Sequence, residues 1–310
     1  MTSRIPLAAF LAALAVVVAA CGSTVTPSPA KTALQPSGGA SGAPAIIPIP
    51  ITDAFRVGAN RVVFTLTDSS GQKQVAGPGR TLSIGYHGPN GETIAPAPQT
   101  FIWAIEGSNG VYVGQTTFAS AGQWTADFST AAPGSAAETT TFSFPVRDHL
   151  DVASPGDAAP SVKTPTLADV GGDLAKISSD PTPVKRFYET SEADALTAKK
   201  PFVLIFATPK FCTSLVCGPT LDKLKPVAAA HPEMTFINVE PYQLQFADGQ
   251  LQPVMTGSDL TPVPATLAFK LSTEPYVFVV GADGKVSASF ELVFSPDEIE
   301  AAIKQVEAAG

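Results

Sequence analysis

At 310 residues, with 45% apolar and 15% charged side chains, the chain is long enough to bury two cores and too apolar to be disordered throughout. A formal charge of −8 without any basic cluster argues against a nucleic-acid partner held through phosphates. The 29 prolines and 25 glycines follow no fixed period, so they mark loops and linkers instead of a repeat.

The N-terminus carries Arg4, the apolar run 5–20 and then Cys21-Gly-Ser. One cation, a short hydrophobic stretch and small residues before the junction describe an export signal, not a membrane-spanning anchor. Val18-Ala19-Ala20-Cys21 resembles the bacterial lipobox. That resemblance implies removal of residues 1–20 as a lipoprotein signal peptide and diacylglycerol attachment to Cys21; an ordinary signal peptide ending in a cysteine and an uncleaved helix are the alternatives. The implied location is extracytoplasmic, with the chain lipid-anchored to the bacterial cell membrane. Of the three cysteines, a lipidated Cys21 leaves Cys212 and Cys217 as partners, in a compartment where disulfides persist.

Residues 21–50 are rich in Ser, Thr, Pro, Gly and Ala and read as a flexible tether. Over 51–147 the pattern becomes short alternating runs at 61–67, 81–87, 101–106, 111–118, 123–128 and 140–146, bounded by turn residues, which predicts an all-β sandwich. The stretch Gly110-Val-Tyr-Val-Gly to Gly122-Gln-Trp124 resembles the strand, corner and strand of bacterial immunoglobulin-like envelope modules. Trp103 and Trp124 are expected in its core, and His87 and His149 lack any companion at metal-ligand spacing.

A second linker is expected at 148–165, followed by a domain over 166–310. Ser191, with Asp194 three residues on, starts a short helix. Residues 201–207 form a continuous apolar strand of the kind buried on both faces. That strand runs into Thr208-Pro-Lys-Phe-Cys212-Thr-Ser-Leu-Val-Cys217-Gly-Pro and a helix over 215–230, with Pro219 in its first turn and Pro226 bending it. A strand at 234–239, an irregular insertion at 242–264, a short helix at 265–271, a strand pair at 276–280 and 286–292, and a helix from Pro296 capped by Ser295 and Glu298 complete the chain.

Residues 160–307 are similar to a thioredoxin-like domain of envelope lipoproteins, on the strength of strand 202–207, the cysteine turn, Thr273-Glu274-Pro275 before a strand, and the closing helix. The resemblance implies a multidomain chain, an all-β immunoglobulin-like sandwich followed by an α/β thioredoxin-like fold. It implies a cis bond at Pro275, and a Cys212–Cys217 disulfide that exchanges with exported protein clients or a redox partner, Cys212 and Cys217 being catalytic and Pro275 shaping the groove. No cofactor and no metal are implied by this reading. The spacing departs from the family, Cys-x4-Cys in place of Cys-x-x-Cys. Two residues five apart point about 140° apart on one helix, so the pair closes only if Cys212 lies on the turn before it. Position favours Cys212 as nucleophile, whereas aligning Cys217-Gly-Pro with the family motif favours Cys217. A non-catalytic envelope binding or scaffold lipoprotein is the competing class. Thr208-Pro209 with Cys-x4-Cys also resembles peroxiredoxins of the bacterioferritin-comigratory type, but no arginine follows Arg186 to activate a peroxide. Copper-delivery proteins of the same superfamily need a histidine near the thiols; here His231 lies at the helix end, and Met255 lies in the insertion.

Overall fold

The computed structural model describes residues 35–36 and 45–309, so the signal peptide, Cys21 and most of the predicted tether lie outside the described residues. The first half is built from β1 Gln35–Pro36, β2 Ile46–Pro50, β3 Phe55–Arg56, β4 Gly58–Asp68, β5 Thr81–His87, β6 Thr93–Pro98, β7 Thr100–Ile105, β8 Asn109–Phe118, β9 Gly122–Ala131 and β10 Glu138–Arg147. One sheet runs β1-β10-β9-β5-β6 with β3 beside β10, and a second runs β2-β4-β8-β7.

Alternation sets which side chains meet between these sheets. Trp124, Ala126 and Phe128 of β9 point inward, and the register sets Phe144 opposite Trp124 and Phe142 opposite Ala126. Phe118 meets Trp124 edge-on at 4.8 Å, and Phe55–Phe144 and Phe64–Phe128 pack at 5.0 Å. Each such ring contributes roughly 1.5–3 kcal/mol through removal from water. Trp124 is fully buried as expected, its Nε1 donating to the Ser120 carbonyl at 2.9 Å. Trp103 is not in this core: it is half-buried on the edge strand β7, edge-on to Phe101. His87 is exposed and paired with Asp127, and His149 is exposed.

The second half contains α1 Glu192–Ala198, β11 Phe202–Phe206, α2 Cys217–Ala230, β12 Thr235–Val239, β13 Leu244–Ala247, β14 Gln250–Pro253, β15 Met255–Thr256, β16 Asp259–Leu260, α3 Pro264–Ala268, β17 Tyr276–Val280, β18 Val286–Glu291 and α4 Pro296–Ala309. Its main sheet is β12-β11-β17-β18. Strands β11 and β17 are buried along their whole length. Their alternate residues divide between two apolar layers: Val203, Ile205, Val277 and Val279 pack with α2 and α4, while Leu204, Phe206, Phe278 and Val280 pack with Ala265 and Phe269 at α3. Gly284, at φ 75°, supplies the left-handed residue that closes the β17–β18 hairpin.

These proportions correct the expected class. The chain is mostly β, 40% strand against 19% helix in several sheets, and a multidomain arrangement of an all-β immunoglobulin-like sandwich followed by an α/β thioredoxin-like fold is not shown. The main sheet of the second half has one parallel pair, β11 with β12, and antiparallel neighbours otherwise. Two local features tilt the balance toward strand. Between 166 and 190 only single-turn 3-10 helices form, Leu167–Val170, Leu174–Lys176 and Lys185–Tyr188. The insertion expected to be irregular folds as two hairpins, β13–β14 and β15–β16.

The halves also share a core, and residues 45–309 fall within one compact unit. Val63, Ala104, Val111 and Val113 of the β4-β8-β7 sheet pack in one cluster with Val216 and Val293. Arg61 donates through Nε and Nη2 to both carboxylate oxygens of Glu298, at 2.7 and 3.0 Å, and through Nη2 to the Val293 carbonyl at 2.8 Å. Lys223 Nζ crosses the same seam to the carbonyl of Trp103 and also donates to the Phe294 carbonyl of its own half. The stretch expected to link two domains lies against the second half as well: Ala153 N donates to Phe269 O, Ala158 bridges to Lys285, and Ser154, Ala159 and Thr164 are buried. At the other end, Ile46–Pro50 of the predicted tether pairs with β4 as a full strand.

Candidate functional site

Strand β11 delivers the chain to a turn at Thr208, whose carbonyl accepts from Phe211 N, and the loop then runs through Cys212 to Val216, the residue that caps α2. Cys217 is the first residue of that helix. Cys212 therefore lies before the helix, the placement that the five-residue spacing requires, and the two cysteines form a disulfide with Cα atoms 6.0 Å apart. Their environments differ. Cys217 is fully buried in the apolar layer under α2, whereas Cys212 is partly exposed at its margin.

The loop is held at each position. Cys212 Sγ accepts from the Cys217 backbone N–H at 3.3 Å and lies 3.3 Å from Ser214 Oγ. An otherwise free amide at a helix start thus points at the sulfur of Cys212, where partial positive charge favours an anion. Ser214 Oγ donates to the carbonyl of Glu274 at 2.7 Å. Leu215 is 75% exposed and has φ 65°, a left-handed backbone that a branched side chain rarely adopts. Val216 belongs to the seam, so the β4-β8-β7 sheet braces the base of this loop.

Pro275 lies against the loop. The Glu274–Pro275 bond is cis, Pro275 is buried, and its carbonyl accepts from Leu292 N at 2.9 Å. With the Glu274 carbonyl engaged by Ser214, this peptide serves the loop, and Thr273 is the partly exposed residue beside it.

The Glu274 side chain is the feature that sequence reasoning missed. It is 2% exposed, and its Oε1 accepts from Thr213 N at 2.8 Å and Thr213 Oγ1 at 2.7 Å. Its Oε2 accepts from the Tyr242 hydroxyl at 2.5 Å. A carboxylate oxygen of Glu274 and the two sulfurs all lie within 4.8 Å of one another. Burial, together with the bond to Glu274, raises the Tyr242 phenol above its ordinary range, so it stays a donor. The one available signal was an acid placed directly before the proline of an all-apolar strand.

Two further acids were also missed. Burial pushes Glu240 up to about 7 against the opposing hydrogen bonds of Thr208 and Ser179. Ser179 in turn accepts from Lys210 N, two residues before Cys212. Burial likewise pushes Glu192 up to about 7, with Val162 N donating to it at 2.7 Å. A cleft of about 310 Å3 opens beside this region between Leu174, Ser179 and Leu251, and the Lys210 amine at its edge is bonded to Gln250.

The groups needed by the rival chemistries lie elsewhere. Arg186 donates to the carbonyls of Ala228, His231 and Met234 at the far end of α2. His231 is paired with Glu300 and Glu307 there, a 14-residue helix from Cys217, or about 20 Å at the usual rise. Met255 is half exposed on β15, in a separate hairpin. No helix among the described residues is long and apolar enough to cross a membrane.

No known family model matches the chain, and no curated protein matches it. Among solved structures, it is similar to a DUF4426 family protein from Pseudomonas aeruginosa PAO1 at 15% identity, over 30% of this chain and 77% of that one, with a TM-score of 0.23.

Proposed function

We propose that the chain is an extracytoplasmic thiol–disulfide oxidoreductase, held at the membrane by lipid on Cys21 and acting on exported proteins through Cys212 and Cys217. The observation that carries this reading is the unequal exposure of a bonded pair, a partly exposed cysteine whose sulfur faces a helix-start amide and a fully buried partner. In the reduced chain Cys212 attacks a client disulfide as thiolate, forming a mixed disulfide and releasing one client thiolate. Cys217 then attacks Cys212, the client leaves as a dithiol, and the chain returns to its disulfide, oxidised by two electrons. The reverse sequence oxidises a client. The helix-start amide favours Cys212 over Cys217 in the attacking role.

Equilibration in redox buffers, followed by alkylation and mass analysis, tests this. The native chain is expected to open and close reversibly, and Cys217→Ser to accumulate mixed disulfides with a small disulfide substrate while Cys212→Ser does not. A pair that opens only in denaturant, or Cys212→Ser exchanging as fast as the parent, would overturn the reading and leave the bond as a fastening of the loop.

A further inference from the structure

The carboxylate of Glu274 is out of place for a site that handles only sulfur. It is buried, it is bonded to Thr213 of the disulfide loop on one oxygen and to Tyr242 of the insertion on the other, and the ion pairs of this half, such as Lys225–Asp180 and His231–Glu300, lie elsewhere. A buried carboxylate is costly unless hydrogen-bonded or matched by a positive charge. Thr213 and Tyr242 supply three hydrogen bonds. A carboxylate accepts about four, so one lone-pair direction remains on Oε2.

We propose that the reduced chain binds one thiophilic divalent cation, of the zinc class, through Cys212 Sγ, Cys217 Sγ and a carboxylate oxygen of Glu274, and that disulfide formation abolishes the site. The three donors already lie within 4.8 Å of one another. Bonds of about 2.3 Å to sulfur and 2.0–2.2 Å to oxygen set tetrahedral donors about 3.5–3.8 Å apart, a separation the sulfurs reach once their bond is broken. Two thiolates with one carboxylate suit zinc or cadmium, whereas oxygen-seeking calcium and magnesium take no sulfur ligand. Thr213 and Tyr242 fix the orientation of the carboxylate in the way outer-shell partners do at metal centres. With three protein ligands, the fourth position stays open on the partly exposed Cys212 side.

The chemistry balances with a dithiol as co-reactant. The dithiol reduces the Cys212–Cys217 bond by two electrons and is itself converted to a disulfide, giving two thiols. The cation then displaces one proton from each thiol and joins the Glu274 carboxylate, releasing two protons. Re-oxidation by a disulfide consumes both thiolates and expels the ion.

This inference shares with the proposed function the premise that the pair opens in the native chain, and the test separates the two. The full-length chain carrying Cys21→Ser is reduced, freed of reductant without oxygen, and its thiols are counted. Zinc is titrated against a chromophoric chelator, and cadmium is followed by its ultraviolet thiolate charge-transfer band. One ion per reduced chain and none per oxidised chain is expected, with Glu274→Gln lowering affinity at least about tenfold while both thiols still react. Tyr242→Phe, which keeps the carboxylate, is expected to weaken binding less, and it stands in if Glu274→Gln does not fold. Reduced chain binding no more than oxidised chain, or Glu274→Gln and Tyr242→Phe both binding like the parent, overturns the metal site alone. Thiols that never open in the native chain overturn both readings.

Discussion

Removing the Arg61 guanidinium by Arg61→Met is expected to uncouple the two halves of the chain. The side chains of Arg61 and Glu298 are 12% and 22% exposed, and Arg61 makes three short hydrogen bonds across the seam. Breaking a fully buried pair costs about 3–5 kcal/mol because a charge is left unmatched, and partial solvent access reduces that here to about 2 kcal/mol. Glu298 also caps α4, accepting from Ser295 N at 2.9 Å, so a shift of its carboxylate is felt at the start of that helix. Burial alone would raise the Glu298 carboxyl, but the Arg61 hydrogen bond and charge hold it below its ordinary 4.5. A depressed folded value stabilises above the unfolded value and is lost as pH falls through the folded one. The cost of Arg61→Met is thus expected in full above pH 4.5, shrinking below it. Urea unfolding supplies two probes, since both tryptophans lie in the first half and α1 to α4, the α-helices among the described residues, in the second. Fluorescence and far-ultraviolet circular dichroism should coincide in the parent and separate in the variant. A loss under about 0.5 kcal/mol, or one indifferent to pH, would refute the reasoning.

Other outcomes follow from single contacts. Lys223→Met strips a donor from the carbonyls of Trp103 and Phe294 and is expected to cost about 1–2 kcal/mol, read as a lower urea midpoint by the fluorescence probe. Glu192, raised from 4.5 to about 7 by burial, favours the folded state below 4.5, and that advantage is lost as pH rises through about 7. The parent's stability relative to Glu192→Gln should therefore fall over this window, by at most about 3 kcal/mol, and parallel curves would exclude the effect. Tyr242→Phe deletes the hydroxyl bonded to Glu274 and is expected to cost about 1–2 kcal/mol in the oxidised chain by the same unfolding measurement.

Local pattern carried a large part of this architecture. In β9 and β10 the alternation is one-sided burial with period two, whereas β4 and β8 have continuous buried runs because their outer face packs on the second half; the expected strands overlap the observed ones. Strand β6 escaped because Pro96 and Pro98 interrupt its pattern, which an edge position tolerates. Ile46–Pro50 escaped for the same reason, with two prolines in five residues on the edge of the other sheet. The helix starts were legible because the capping side chains lie within three residues of what they cap: Ser191 accepts from Asp194 N, and Ser295 with Glu298 forms its box. Tyr242 was visible only as an aromatic in an insertion, since its partner Glu274 lies 32 residues away.

The sequence by itself determined the local events: where strands and caps fall, that an apolar strand ends at a cysteine turn, and that Cys212 must precede the helix to reach Cys217. Those depend on periodicity and on neighbours a few residues apart. Only the tertiary structure decided that strand outweighs helix, that Arg61, Lys223 and Val216 join the β4-β8-β7 sheet to the second half, and that a buried carboxylate faces the sulfurs. Such contacts join residues 32 to 237 positions apart. They depend on chain topology and on the removal of water from both partners at once, which no local pattern encodes.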